Sequence, residues 1–193
     1  GERPHRTTGE MHASAPVPFE IVGGRIVVYH HHVTAYGDDI IDGGAGDDEL
    51  IGEGGADVIF GGGGSDVLYG DIAELPEWLH GSDILDGGDG EDAIFGQGGD
   101  DVMFGGAGAD LVVGDSDLAA SGHGADSLDG DAGNDILVGG GGADRPDGGA
   151  DDDTLFGDAL DVLAVWHGAD VLAGGSGDDI LYGLGGPGEL FRA

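Results

Sequence analysis

The chain has 193 residues, enough for one domain, and its 40 Asp and Glu against five Arg give a formal net charge of -35, which opposes compaction unless counter-ions are bound. So acidic a chain excludes nucleic acid and anionic membranes as partners, because both recognise basic patches. The absence of Cys excludes disulfides and thiolate metal sites, and no run of about 18 apolar residues predicts a transmembrane helix.

The N-terminal segment, residues 1–22, shows no repeat and contains three of the six prolines. We interpret it as a tail or linker that precedes the folded domain, residues 23–193. The segment Arg25–Tyr36 is rich in Val, Ile and Tyr and predicts a strand that caps the domain. Its consecutive histidines, His30–His32, are expected to alternate along that strand rather than to bind metal.

A nine-residue unit repeats from Gly37 to Tyr182. Its clearest stretch, Gly87–Val113, reads GGDGEDAIF, GQGGDDVMF and GGAGADLVV, with Asp at the sixth position and an apolar residue at the eighth. This composition alone would indicate disorder, but so strict a period predicts a stacked repeat.

The pattern G-G-x-G-x-D-x-U-x resembles the calcium-binding nonapeptide of the RTX (repeats-in-toxin, hemolysin-type) family. The resemblance implies an all-β fold, a right-handed parallel β-roll (a β-helix or solenoid) in which two rows form a coil of about 18 residues. It also implies Ca²⁺ between turns two rows apart, bound by Asp and backbone carbonyls. Secretion from Gram-negative cells by a type I exporter, and an extracellular location, follow from the same resemblance.

The predicted metal ligands are the sixth-position aspartates, which alternate between the two edges of the roll. One edge is regular, and we expect about six Ca²⁺ between its successive turns, with fewer or altered sites on the other edge. The regular edge carries Asp48, Asp66, Asp92, Asp110, Asp135, Asp153 and Asp179. The other edge carries Asp39, Asp57, Asp83, Asp101, Asp126, Asp144 and Asp170.

The eighth residue of each row is predicted to point inward and to form one thin core. Such a core is too small to fold so acidic a chain unaided, so bound metal is expected to supply the missing stability. The core positions are Ile41, Leu50, Ile59, Leu68, Leu85, Ile94, Met103, Val112, Leu128, Leu137, Leu155, Leu172 and Leu181.

Three rows are longer, Gly70–Asp86, Gly114–Asp129 and Gly157–Ala173, and a fourth is expected between about Gly24 and Asp42. Since long rows recur every fourth row, their insertions should project from one edge, about 10 Å apart. Each opens with Gly-Asp and returns with His-Gly, which pairs Asp71 with His80, Asp115 with His123 and Asp158 with His167. The histidines could form a transition-metal or pH-sensing ladder, but their spacing favours a loop-closing hydrogen bond to the Asp.

Several rows depart from the repeat. The second glycine is replaced at Glu53, Gln97 and Asp131, and the fourth at Asp151. Arg145-Pro146 stands at the start of a strand, and because proline has no N–H for a ladder it predicts a local break.

The seventh and ninth residues of each row should point outward. On the rows of the regular edge they form an apolar stripe, for which we expect a protein partner or self-association, or cover from the insertions. The ninth residues are Ile51, Tyr69, Phe95, Val113, Val138, Phe156 and Tyr182, and the seventh include Val67, Leu111, Ile136 and Ile180. The other face has acids at its ninth positions and is expected to be more polar.

Enzyme motifs are not supported. Matches to G-x-G-x-x-G are by-products of the repeat, and neither G-x-S-x-G nor H-E-x-x-H occurs. We therefore predict a non-enzymatic, secreted calcium-binding module with a structural, adhesive or docking role. The alternative is the C-terminal calcium-dependent secretion or chaperone domain of a larger secreted enzyme (protease, lipase or epimerase), which an upstream catalytic domain would favour.

Overall fold

The computed structural model describes residues 19–22, 25–29, 37–72, 75–116, 123–159, 167–184 and 189–191. Within these ranges the chain forms strands, turns and one short 3-10 helix, Glu77–Leu79, and no helix there is long and apolar enough to cross a membrane. The strands are β1 Phe19–Val22, β2 Arg25–Tyr29, β3 Ile40–Ala45, β4 Glu49–Glu53, β5 Val58–Gly63, β6 Val67–Asp71, β7 Ile84–Asp89, β8 Ala93–Phe95, β9 Val102–Ala107, β10 Leu111–Val113, β11 Ser127–Ala132, β12 Ile136–Gly140, β13 Arg145–Asp147, β14 Thr154–Asp158, β15 Val171–Ala173, β16 Ile180–Tyr182 and β17 Glu189–Phe191.

The strands form two sheets that alternate along the chain. Sheet A has the order β1-β2-β4-β6-β8-β10-β12-β14-β16, and sheet B has the order β17-β15-β13-β11-β9-β7-β5-β3. All neighbours pair in parallel except β1 and β2, which pair antiparallel. This arrangement confirms the predicted parallel β-roll.

The core lies between the sheets and contains one residue from each row. All thirteen predicted eighth-position residues are buried, none more than 9% exposed. Their neighbours at the seventh and ninth positions are more exposed, as the alternation of a strand requires. Each inward side chain contacts those of the adjacent coils, so each coil depends on its neighbours for burial.

The N-terminal strands extend sheet A. Strand β2 lies in the segment predicted to cap the domain and pairs in parallel with β4. Strand β1, Phe19–Val22, pairs with β2 and falls within the segment interpreted as a tail. Residues 30–36, which include the three consecutive histidines, lie outside the described part of the chain, as do 1–18.

The predicted break at Arg145-Pro146 is largely wrong. Pro146 is buried at the inward position of β13 and aligns with Leu128 of β11. The N–H of Arg145 still donates to Asp126, at 2.8 Å. Only the β15 side is weakened, with the single aligned pair Asp147 and Ala173, because proline has no N–H to donate in that direction.

The two edges of the roll differ as predicted. The insertions follow β6, β10 and β14, which are all strands of sheet A, and each leads to a strand of sheet B. All turns from sheet A to sheet B therefore lie on one edge, called here the insertion edge. The turns from sheet B to sheet A form the plain edge, which carries no insertion among the described rows.

Candidate metal centre

The fourteen predicted aspartates fall into two ladders, one along each edge. In each ladder the backbone N–H of one Asp donates to Oδ1 of the Asp two rows later. The plain-edge ladder joins Asp48, Asp66, Asp92, Asp110, Asp135, Asp153 and Asp179 with N–O distances of 2.7–3.1 Å. The insertion-edge ladder joins Asp39, Asp57, Asp83, Asp101, Asp126, Asp144 and Asp170 with distances of 2.7–3.1 Å.

The second carboxylate oxygen of the ladder residues is the unusual feature. For ten of them Oδ2 is buried and has no hydrogen-bond partner: Asp57, Asp83, Asp92, Asp101, Asp110, Asp126, Asp135, Asp144, Asp153 and Asp170. An ionised carboxylate offers only acceptors, and burying one without a partner is strongly unfavourable. These oxygens therefore require either protons or cations.

The first glycine of each row brings a carbonyl oxygen close to the same carboxylate. A Cβ on Gly87 would lie 2.5 Å from Oδ2 of Asp92 and 2.6 Å from the carbonyl oxygen of Gly105, in the next coil. On Gly61 it would lie 2.6 Å from both Asp66 Oδ2 and the Gly87 oxygen. Only glycine fits between these oxygens, and the same arrangement recurs at Gly43, Gly114 and Gly139.

The turn backbone also requires left-handed conformations. Gly62 and Gly64 have φ of 106° and 137°, and a Cβ on either would collide with a carbonyl of the preceding coil. The four non-glycine residues noted as departures adopt the same conformation, with φ from 64° to 81° at Glu53, Gln97, Asp131 and Asp151. These substitutions keep the turn and store strain in it.

Burial shifts the ladder carboxyls toward their protonated form. On the plain edge burial raises the pKa of Asp92 to about 6 and that of Asp135 to about 7. On the insertion edge burial raises the pKa of Asp144 to about 8 and that of Asp101 to about 10. Charges of neighbouring aspartates add to each shift, because like charges destabilise the ionised form.

The donor set fits calcium. Arg145 is the one Arg or Lys between residues 37 and 184, and it is exposed. Within the described ranges no group of three His, Asp or Glu side chains is placed to hold a metal ion by itself. Calcium accepts backbone carbonyls beside carboxylates, and the stacked turns supply both. The fourteen aspartates would thus bind it together with the turn carbonyls.

The insertion aspartates Asp71, Asp115 and Asp158 are buried at 0–1% exposure. They accept the N–H of the glycine where the row resumes, with N–O distances of 3.0, 3.2 and 3.3 Å. Nδ1 of His123 and of His167 lies 3.5 and 3.7 Å from the respective Asp oxygen, within the range of an ion pair when the imidazole is protonated. The Asp and the glycine N–H therefore close these loops, and each of these two histidines lies beside the Asp with which the sequence pairs it.

The repeats of this chain match those of a known protein family. A family model described as RTX calcium-binding nonapeptide repeat (4 copies) matches residues 34–71, 81–112, 113–146, 147–160 and 168–188. These residues are well over half of the chain, and two of the gaps coincide with the first and third insertions. No curated protein matches the chain.

Proposed function

The chain belongs to the RTX calcium-binding nonapeptide repeat family, and from this premise we propose that it is a secreted module whose β-roll folds when it binds Ca²⁺ outside the cell. Its role is structural, adhesive or partner-docking rather than catalytic. Export by a type I system would deliver the chain to a calcium-rich medium, where the metal completes the fold.

One observation carries this proposal: ten ladder aspartates have a buried carboxylate oxygen with no hydrogen-bond partner among the described residues. In the absence of metal at neutral pH, folding must either protonate these groups or bury their charge. A cation removes both penalties, and its binding free energy becomes folding free energy. The proposed stoichiometry is about six ions on the plain edge, with further ions on the insertion edge.

Far-UV circular dichroism tests the coupling. We expect a disordered spectrum in chelator at neutral pH and a β-rich spectrum in millimolar Ca²⁺. Magnesium at equal ionic strength is the matched control, because it screens charge equally but demands a compact octahedral shell. A β-rich spectrum in chelator, or equal folding by magnesium, would contradict calcium-specific folding.

The outer face of sheet A supports the docking role. Its ninth-position residues align in register from strand to strand: Ile51, Tyr69, Phe95, Val113, Val138, Phe156 and Tyr182. The rings of Tyr69 and Phe95 stack with centroids 5.1 Å apart, and those of Phe156 and Tyr182 stack at 4.9 Å. Ordered aromatic stacking on an outer face suits a flat protein partner or a second roll.

Trp78 of the first insertion does not pack against this face, since its side chain is 79% exposed. Leu160, Val165 and Trp166 of the third insertion, which could also cover it, lie outside the described residues. Several ninth positions of sheet B are acidic, as predicted. The seventh positions of β3, β5, β7 and β9, however, form an apolar column on the same face: Ile40, Val58, Ile84 and Val102. The face of sheet B is therefore polar at several ninth positions but apolar at the seventh positions of β3, β5, β7 and β9.

A further inference from the structure

A second column of residues, most of them polar, runs along the insertion edge, beside the Asp ladder. It is formed by the second residue of each row that follows a sheet A strand. The parallel register aligns Glu53 with Asp71 and Gly140 with Asp158, and Asp115 occupies the same place in the row between them. The three aspartates of this column open the three insertions and are the buried acids of the column.

The plain edge lacks such a column. Its second positions are glycines with positive φ, for example Gly88 and Gly106, and the described exception, Asp131, is exposed. The extra buried carboxylates thus occur only where a row is interrupted by an insertion. Loop closure alone would not require a carboxylate, because a neutral Asn can accept the same backbone N–H.

The third insertion shows how close the two columns come. A Cβ on Gly157, the residue before Asp158, would lie 2.5 Å from Asp170 Oδ2, and both Asp158 and Asp170 are fully buried. Burial, followed by the charge of Asp158, raises the pKa of Asp170, because two carboxylates so close repel unless a proton or a cation lies between them. The two acids lie on either side of the insertion, at its first and last turns.

The first and second insertions leave a carboxylate oxygen without a partner. Asp71 and Asp115 each accept a glycine N–H through Oδ2, whereas Oδ1 of each is buried and has no hydrogen-bond partner. Burial, followed by the charge of Asp83, raises the pKa of Asp71 to about 8. Burial and the charge of Asp126 act in the same way on Asp115. The glycine before each of these aspartates packs against the sixth-position Asp of its own row, since an added Cβ on Gly70 or on Gly114 would collide with Oδ2 of Asp83 or of Asp126.

We propose that each insertion root is a second class of Ca²⁺ site, in which the second-position Asp and the following sixth-position Asp bind one ion. The proposal rests on the proposed function, because it requires the calcium-loaded roll. The facing groups are carboxylate oxygens, which select a hard cation. Unlike a ladder ion, this ion joins the two ends of an insertion and so fixes the loop to the edge.

Substitution of the three aspartates by Asn tests the proposal. The variant Asp71→Asn, Asp115→Asn, Asp158→Asn removes one carboxylate from each root but retains an acceptor for the glycine N–H. Asp131→Asn is the matched control, since it removes a carboxylate from the same row position on the plain edge. Equilibrium dialysis against Ca²⁺ counts bound ions, and circular dichroism in the same samples reports folding.

We expect the triple variant to fold in Ca²⁺ and to bind about three fewer ions at the free calcium that just saturates the unmodified protein. The control should bind as many ions as the unmodified protein. If the triple variant does not fold, Asp115→Asn alone should lose about one ion. An unchanged ion count in a folded variant would overturn the proposal. Failure of the unmodified protein to fold with Ca²⁺ would instead refute the proposed function, so the two failures are distinguishable.

Discussion

Replacing Gly87 by Ala tests whether the first glycine of a row is required by the oxygens around it. The added Cβ would lie 2.5 Å from Asp92 Oδ2, 2.6 Å from the Gly105 carbonyl oxygen and 3.0 Å from Asp92 Cβ. Comfortable contacts between heavy atoms begin at about 3.5 Å. The Gly105 oxygen belongs to the backbone of the next coil and cannot rotate away, so the coils must separate locally.

Over-packing of a close-packed interior destabilises by about 1–3 kcal/mol, and we expect about 2–3 kcal/mol here because backbone must move. Since about six ions bind as the chain folds, a loss of about 2.5 kcal/mol is offset by a roughly twofold higher free calcium. The variant should therefore unfold at lower urea in saturating Ca²⁺ and need about twice the Ca²⁺ for half-folding.

Gly63→Ala is the matched control. Gly63 is the third residue of its row, nothing lies within 4 Å of its added Cβ, and its neighbour in register is Ala45. The control should be neutral or stabilise by about 0.4–1 kcal/mol, because Ala restricts the unfolded chain. Urea unfolding of both variants, followed by circular dichroism, measures the difference. Equal stability of the two variants would refute the oxygen-lined packing around the first glycine.

Three further predictions concern pH, the histidines and the outer face. In the folded chain the pKa of Asp92 is about 6 and that of Asp144 about 8, above the unfolded value near 3.9. The contribution of these carboxyls to the stability of the metal-free protein is therefore complete below about pH 4 and is lost as the pH rises through about 6 to 8. Circular dichroism in chelator should show more β-structure at pH 4 than at pH 8, and the opposite trend would argue against buried ladders. Replacing the three insertion histidines by Gln should leave calcium-dependent folding intact, whereas a stoichiometric zinc signal lost in that variant would revive the transition-metal ladder. The double variant Tyr69→Asp, Phe95→Asp should leave Ca²⁺ binding nearly unchanged but abolish self-association or partner binding. Sedimentation measures this, with Phe60→Asp on sheet B as the control. An unmodified protein that is monomeric and binds no partner would contradict the docking face.

The core and the ladders could be predicted from sequence because each depends on one position of a short period. An apolar eighth residue and an acidic sixth residue face the same way in every row, so the period of nine assigns Leu85 to the core and Asp83 to an edge. The replaced glycines at Glu53 and Gln97 were visible as departures from the repeat, and the structure shows that both residues keep a positive φ.

Other features depend on how rows align with one another. The period marks Asp71 and Asp115 only as the starts of insertions, whereas the structure shows that both are buried. The signal was present, since each long row begins with Gly-Asp. The break predicted at Pro146 is largely wrong because the missing N–H of proline affects one neighbouring strand, while its ring still fills an inward position.

A crystal structure of the calcium-loaded protein, with anomalous scattering recorded from the metal, tests the central claim most directly. We predict a column of Ca²⁺ ions between successive turns of the plain edge, with oxygens of the sixth-position aspartates and of the turn carbonyls at about 2.3–2.6 Å. A folded roll with no anomalous density at either edge in millimolar Ca²⁺ would contradict it.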